Sequence, residues 1–185
     1  MAQAMGTRGR RDKPPEGRKR LAHTSTNLIV HLIFGTRHRR PLIRLPLQAR
    51  LHAYMGGIVR EMGGVALRIY GTNDHVHVLA KIPATCSVAD LARIVKTNSS
   101  RWVHEQWPDY KDFGWQTGYA AFSVSASNMA AVAEYIAGQE EHHRKKPFRE
   151  EFMGFLRKNG YSGDERYISA GLALVTNGLR RGLYS

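Results

Sequence analysis

At 185 residues and 20.9 kDa, with 42% hydrophobic content, the chain is long enough for one domain with a real core. Its 28 Lys and Arg against 15 Asp and Glu give a formal charge of +13, which points to a polyanionic partner, nucleic acid foremost. The single cysteine, Cys86, excludes an intrachain disulfide and suits a reducing cytoplasm, and no apolar run reaches the ~18 residues that a membrane span needs.

Residues 1–24 read as a disordered basic arm, Gly/Pro/Arg-rich, without periodic apolar positions and without the apolar segment of a secretory signal. NLIVHLIFGTRH (27–38) predicts a first strand. Pro41 and Pro46 bracket the link to a helix over 47–63. Its apolar Leu51, Tyr54, Met55, Ile58 and Met62 fall at three- and four-residue spacing, although Gly56 and Gly57 weaken it. VALRIYGTN (65–73) alternates like a strand. TND signals a tight turn, and HVHVLAKI forms a third strand that Pro83 ends.

The next stretch, 87–106, is helical, with Ser87 as cap and Asp90 in the first turn. A loop rich in Trp, Pro, Asp and Gly precedes a fourth strand, WQTGYAAFSVS (115–125). SNMAAVAEYIAGQEEHHRKK (127–146) predicts a third helix capped by Ser127. The order βαββαβ plus a helix is the ferredoxin-like pattern. The expected class is α+β, with an antiparallel sheet, helices on one face and an additional C-terminal helix.

Two pairs of residues carry chemistry in this frame. His75 and His77 are two apart on a strand and so point to one face, while Val76 and Val78 point to the other. Two imidazoles at this spacing can ligate one cation; they can also be plain polar residues on an exposed sheet face. Tyr135 and Gln139 are four apart, one above the other on a helix. They could meet the histidine pair at a sheet–helix junction, or be a half-buried aromatic and a solvated amide.

Five stretches in this order, HLIFGTRHRRPL, NDHVHVLAKIP, KTNSSRWV, WQTGYAAFSVS and EYIAGQEEHHRKKPFREEF, resemble the single-tyrosine transposases of the HUH (His-hydrophobe-His) endonuclease superfamily, including the REP-associated ones. The resemblance covers about residues 25–168, the expected transposase domain; the basic arm and the tail 169–185 lie outside it. It implies cleavage and rejoining of single-stranded DNA through a 5′-phosphotyrosine. It also implies hairpin-forming DNA ends and a homodimer in which a tyrosine helix can serve the partner's histidine pair. It assigns the nucleophile to Tyr135 and the metal ligands to His75, His77 and Gln139. Such neutral ligands leave a cation its full charge, and Mg²⁺ is the expected ion, with Mn²⁺ able to substitute.

Arg37, Arg39, Arg40, Lys96, Arg101, Arg144, Lys145 and Lys146 are candidate DNA-phosphate contacts, with His38 beside the first three. Trp102, Trp107 and Trp115 can stack on bases, but core packing is the expected role for at least two. His142 and His143, one turn past Gln139, read as solvated rather than as bases that activate the tyrosine. Two other classes fit parts of the pattern. One is a non-catalytic nucleic-acid-binding module; the other is an HUH nuclease of replication-initiator or relaxase type, for which this chain has no P-loop.

Overall fold

The computed structural model describes residues 25–141, together with 150, 153, 154 and 157. The basic arm 1–24, the cluster His142–Lys146 and the tail 169–185 lie outside the described residues.

Strands β1 (Leu28–Gly35), β2 (Val65–Gly71), β3 (His75–Ile82) and β4 (Ala120–Val124) form one sheet in the order β2-β3-β1-β4, with every neighbour antiparallel. Helix α1 (Leu47–Glu61) joins β1 to β2, α2 (Val88–Gln106) joins β3 to β4, and α3 (Met129–Ala137) follows β4. This is the ferredoxin-like order expected from the sequence. α1 runs through Gly56 and Gly57 because Leu51, Met55, Ile58 and Val59 bury one continuous apolar stripe. Ser87 caps α2 as its sequence implies, its hydroxyl accepting from the Asp90 N–H.

The two faces of the sheet have separate cores. Val30, Leu32 and Phe34 of β1 and Val76, Val78 and Ala80 of β3 pack against α1 and α2. Ile29 and Leu79 point the other way and pack under Ile136 of α3, ringed by Leu67, Tyr70, Val124, Met129 and Val132. The two central strands are therefore covered on both sides, and the additional helix lies on the face opposite α1 and α2.

Three boundaries depart from expectation. β1 ends at Gly35, and a 3-10 turn, Arg37–Arg39, follows with His38 at φ 60° and Arg39 at φ 53°. β4 spans 120–124 rather than 115–125, because the backbone before it is otherwise engaged. Thr117 and Gly118 give their carbonyls to Lys96, and Trp115 makes an isolated bridge with Thr36. α3 starts at Met129 after a 3-10 turn, Ala126–Asn128. Ser127 does not cap it; its hydroxyl pairs with that of Ser125. Gly138 breaks α3, and residues 139–141 resume a helical path.

Candidate active site

The sheet's alternation carries His75, His77 and Leu79 to the α3 face. Both imidazoles are buried there, which rules out an exposed polar sheet face. Their ring centroids lie 5.0 Å apart. Tyr135 descends from α3 with its ring edge-on to His77, 6.0 Å between centroids. Gln139, itself buried just past the Gly138 break, lies within hydrogen-bonding reach of His75. Strand and helix thus bring the two predicted pairs together within one chain.

Each histidine is held from behind. His75 Nδ1 lies 2.8 Å from Asp74 Oδ1 and 2.8 Å from the Thr72 hydroxyl, which itself donates to Asp74 Oδ1 at 2.9 Å. A carboxylate only accepts, so Nδ1 is the donor and the neutral ring keeps its lone pair on Nε2. Asp74 in turn pairs with Arg39 at 2.8 Å. Burial would raise the Asp74 carboxyl, but the His75 hydrogen bond and Arg39 outweigh it and hold it below its usual value. Burial also holds His75 below the usual histidine range.

His77 Nδ1 meets His31 Nε2 at 2.9 Å. His31 comes from β1, is 1% exposed, stacks on His77 and is pushed down to about 4 by burial, so the pair is neutral on His31's side. Its ring also lies edge-on to Tyr135, centroids 6.5 Å apart. Sequence reasoning missed His31. The signal was present: a lone histidine amid apolar NLIVHLIF, in phase with Ile29 and Ile33 on one strand face.

The donor set suits a divalent cation. Two imidazoles with Nδ1 engaged present Nε2, and a neutral amide stands beside one of them; ligand histidines are usually oriented in this way by hydrogen bonds from behind. The predicted DNA contacts divide. Arg37, Arg40 and Arg101 are exposed, Arg40 beside Asp112 and Arg101 beside Asn98. Arg39 is turned inward to Asp74, and Lys96 donates to Thr117 and Gly118 at 3.0 and 3.2 Å. The three indoles are occupied in packing. Trp115 sits between Phe34 and Phe113, Trp102 stacks on Tyr54 at 4.5 Å, and Trp107 lies under Arg50.

Comparison with known proteins gives a consistent result. The family profile described as "Transposase IS200 like" matches residues 24–139. The curated transposases for insertion sequence element IS200 of Salmonella typhimurium and Salmonella typhi are each 30% identical over 136 residues, 68% of this chain and 86% of theirs. Among solved structures, a putative transposase of Deinococcus radiodurans superposes with a TM-score of 0.52 at 21% identity, covering 63% of this chain and 94% of that one. A REP-associated tyrosine transposase bound to a REP hairpin superposes with a TM-score of 0.50 at 14% identity, covering 63% of this chain and 68% of that one. These two share the fold.

Proposed function

The chain belongs to the IS200-like transposase family, and from that premise we propose that it cuts and rejoins single-stranded DNA with Tyr135 as nucleophile and His75, His77 and Gln139 as ligands of a divalent cation. The observation that carries this reading is the convergence of a tyrosine, an amide and two back-bonded imidazoles at one buried point between β3 and α3.

The phosphodiester is anionic and repels nucleophiles. Mg²⁺, or Mn²⁺ in its place, would when bound polarise a non-bridging phosphate oxygen and offset charge that develops as the phosphorus is attacked. The protein's own part is to position. Asp74 and His31 hold the two rings by their Nδ1 atoms, and the Asp74 carboxylate, which only accepts, leaves His75 Nε2 unprotonated. Tyr135 Oη attacks phosphorus in line. A Tyr–O–P bond forms, the P–O3′ bond breaks, and the proton lost by the phenol balances the one gained by the leaving 3′-oxygen. The product is a 5′-phosphotyrosine and a 3′-hydroxyl. Because the ester is conserved, a second 3′-hydroxyl can attack it and reseal a strand without a nucleotide cofactor.

The substrate in this reading is hairpin-forming DNA at the ends of a mobile element, reached in the cytoplasm. Among the described residues no helix is long and apolar enough to cross a membrane. The exposed Arg37, Arg40 and Arg101 supply phosphate contacts, with Arg144, Lys145 and Lys146 as further candidates. The acting species is a homodimer. Incubating the protein and Mg²⁺ with labelled single strands from the flanks of its gene should give an SDS-resistant adduct that maps to Tyr135. Tyr135→Phe removes only the hydroxyl and should form no adduct while still binding the strand. An adduct on any other tyrosine, or cleavage that survives EDTA, would refute the assignment.

A further inference from the structure

We propose that Arg39 is a positioning residue: acting through Asp74, it fixes the orientation and tautomer of His75, and it is not a DNA-phosphate contact. The proposal rests on reading His75 as a metal ligand, and its test separates the two.

Among the arginines of the RHRR stretch, Arg39 is the one whose side chain is turned in, 17% exposed, whereas Arg37 and Arg40 face solvent. Its Nη2 lies 2.8 Å from Asp74 Oδ2, while the other carboxylate oxygen, Oδ1, lies 2.8 Å from His75 Nδ1. One carboxylate thus joins a guanidinium to an imidazole, one oxygen for each.

The backbone is arranged to put the guanidinium there. His38 and Arg39 both adopt the left-handed region, at φ 60° and 53°, which disfavours side chains with a Cβ and persists only where the surroundings enforce it. Thr36, fully buried, ties this turn to the strand it serves. Its N–H donates to the Asp74 carbonyl at 2.8 Å, and its hydroxyl lies 2.7 Å from the Arg40 carbonyl. Gly35 leaves the space that the guanidinium fills, since a Cβ there would sit 2.8 Å from Arg39 Nη1. An arginine meant for phosphate needs none of this. With Arg39 holding Oδ2, the carboxylate cannot turn and Oδ1 stays in line with Nδ1, so His75 keeps its proton on Nδ1 and its lone pair on Nε2. Without Arg39, the carboxylate can swing off Nδ1. An imidazole that loses its acceptor there is no longer held in one orientation or one tautomer, and its proton can move to Nε2, the side a cation needs bare.

The test combines ring ¹⁵N spectra of the metal-free protein with Mn²⁺ binding measured by electron paramagnetic resonance at fixed pH. The wild type should show His75 protonated on Nδ1. Arg39→Gln should shift protonation towards Nε2 and weaken Mn²⁺ binding about 10- to 100-fold. Arg39→Lys, which keeps the charge, should recover part of the loss. Gly35→Ala displaces the guanidinium without changing charge and should act in the same direction, so the test survives if Arg39→Gln does not fold. Arg60→Gln, on the exposed side of α1, controls for lost net charge and should leave Mn²⁺ affinity unmoved. A wild-type His75 protonated on Nε2 overturns the proposal outright. So does an Arg39→Gln protein that weakens binding of labelled hairpin but not of Mn²⁺. If His75→Ala itself leaves Mn²⁺ affinity intact, the metal reading falls and this one with it. If His75→Ala abolishes binding while Arg39→Gln and Gly35→Ala do not, only the role of Arg39 falls.

Discussion

His52 is the described histidine best suited to report on stability without involving the site. It lies on α1 with its ring 5.7 Å from that of Tyr70, and burial pushes it down to about 4. The unfolded chain therefore binds a proton at this position near pH 6.5 that the folded chain refuses until about pH 4. The stability it allows is complete above pH 6.5 and is lost as pH falls through that window. Replacing His52 by Gln should remove up to about 3 kcal/mol of that acid loss, read as the gap between the two proteins' urea midpoints at pH 4 and at pH 7.5. At this scale the sequence was only partly readable. The spacings of His75 with His77 and of Tyr135 with Gln139 follow from the periods of a strand and a helix, so the pairs could be found. His31 stood out in its apolar strand, but neither its partner nor the inward aim of Arg39 could be read, for different reasons. The partner of His31 lies two strand crossings later in the chain. Arg39 owes its inward aim to a left-handed turn that no pattern of RHRR announces.

Gly71, the last residue of β2, shows how closely the hairpin is tied to the site. A Cβ there would run into the carbonyl oxygen of His75 and the backbone of Val76, neither of which can swing aside. Gly71→Ala should cost about 1–3 kcal/mol or more and should also loosen His75. A thermal melt checks the first effect and Mn²⁺ affinity the second; a variant as stable and as tight as wild type would contradict the account. Elements with strong local signals were legible. β2, β3 and α2 fall within two residues of their expected bounds, because alternation, a turn tripeptide, Pro83 and the Ser87 cap are all local chemistry. β4 was drawn too long and α3 was begun too early. What shortens β4 is tertiary, the Lys96 ammonium holding the carbonyls of residues 117 and 118, while a 3-10 turn takes the place of the first helical residues and Gly138 interrupts the helix before residues 139–141.

Across the whole molecule, charge and apolar surface are divided by role. Of the predicted phosphate contacts among the described residues, Arg37, Arg40 and Arg101 face solvent, while Arg39 is turned to Asp74 and Lys96 to the carbonyls of residues 117 and 118. The sheet's two faces are likewise divided, one for the main core and one for the four candidate site residues beneath α3. That second cover has a kinetic consequence. On the proposed reading the ligands are closed off: His75 and Gln139 are 0% exposed and His77 1%, so α3, seated by Ile136 on Ile29 and Leu79, has to shift before a cation enters. Uptake then waits on the protein's own breathing. In stopped-flow mixing, the observed rate of Mn²⁺ capture should climb at low concentration and level off at high, the ceiling being the rate at which α3 opens. Ile136→Ala removes the wedge under α3 and should raise that ceiling several-fold. A rate that stays linear in Mn²⁺ would mean that the ligands are open to solvent in solution. On the proposed reading, such a ceiling would let the protein set the tempo of the first cut before any DNA chemistry begins.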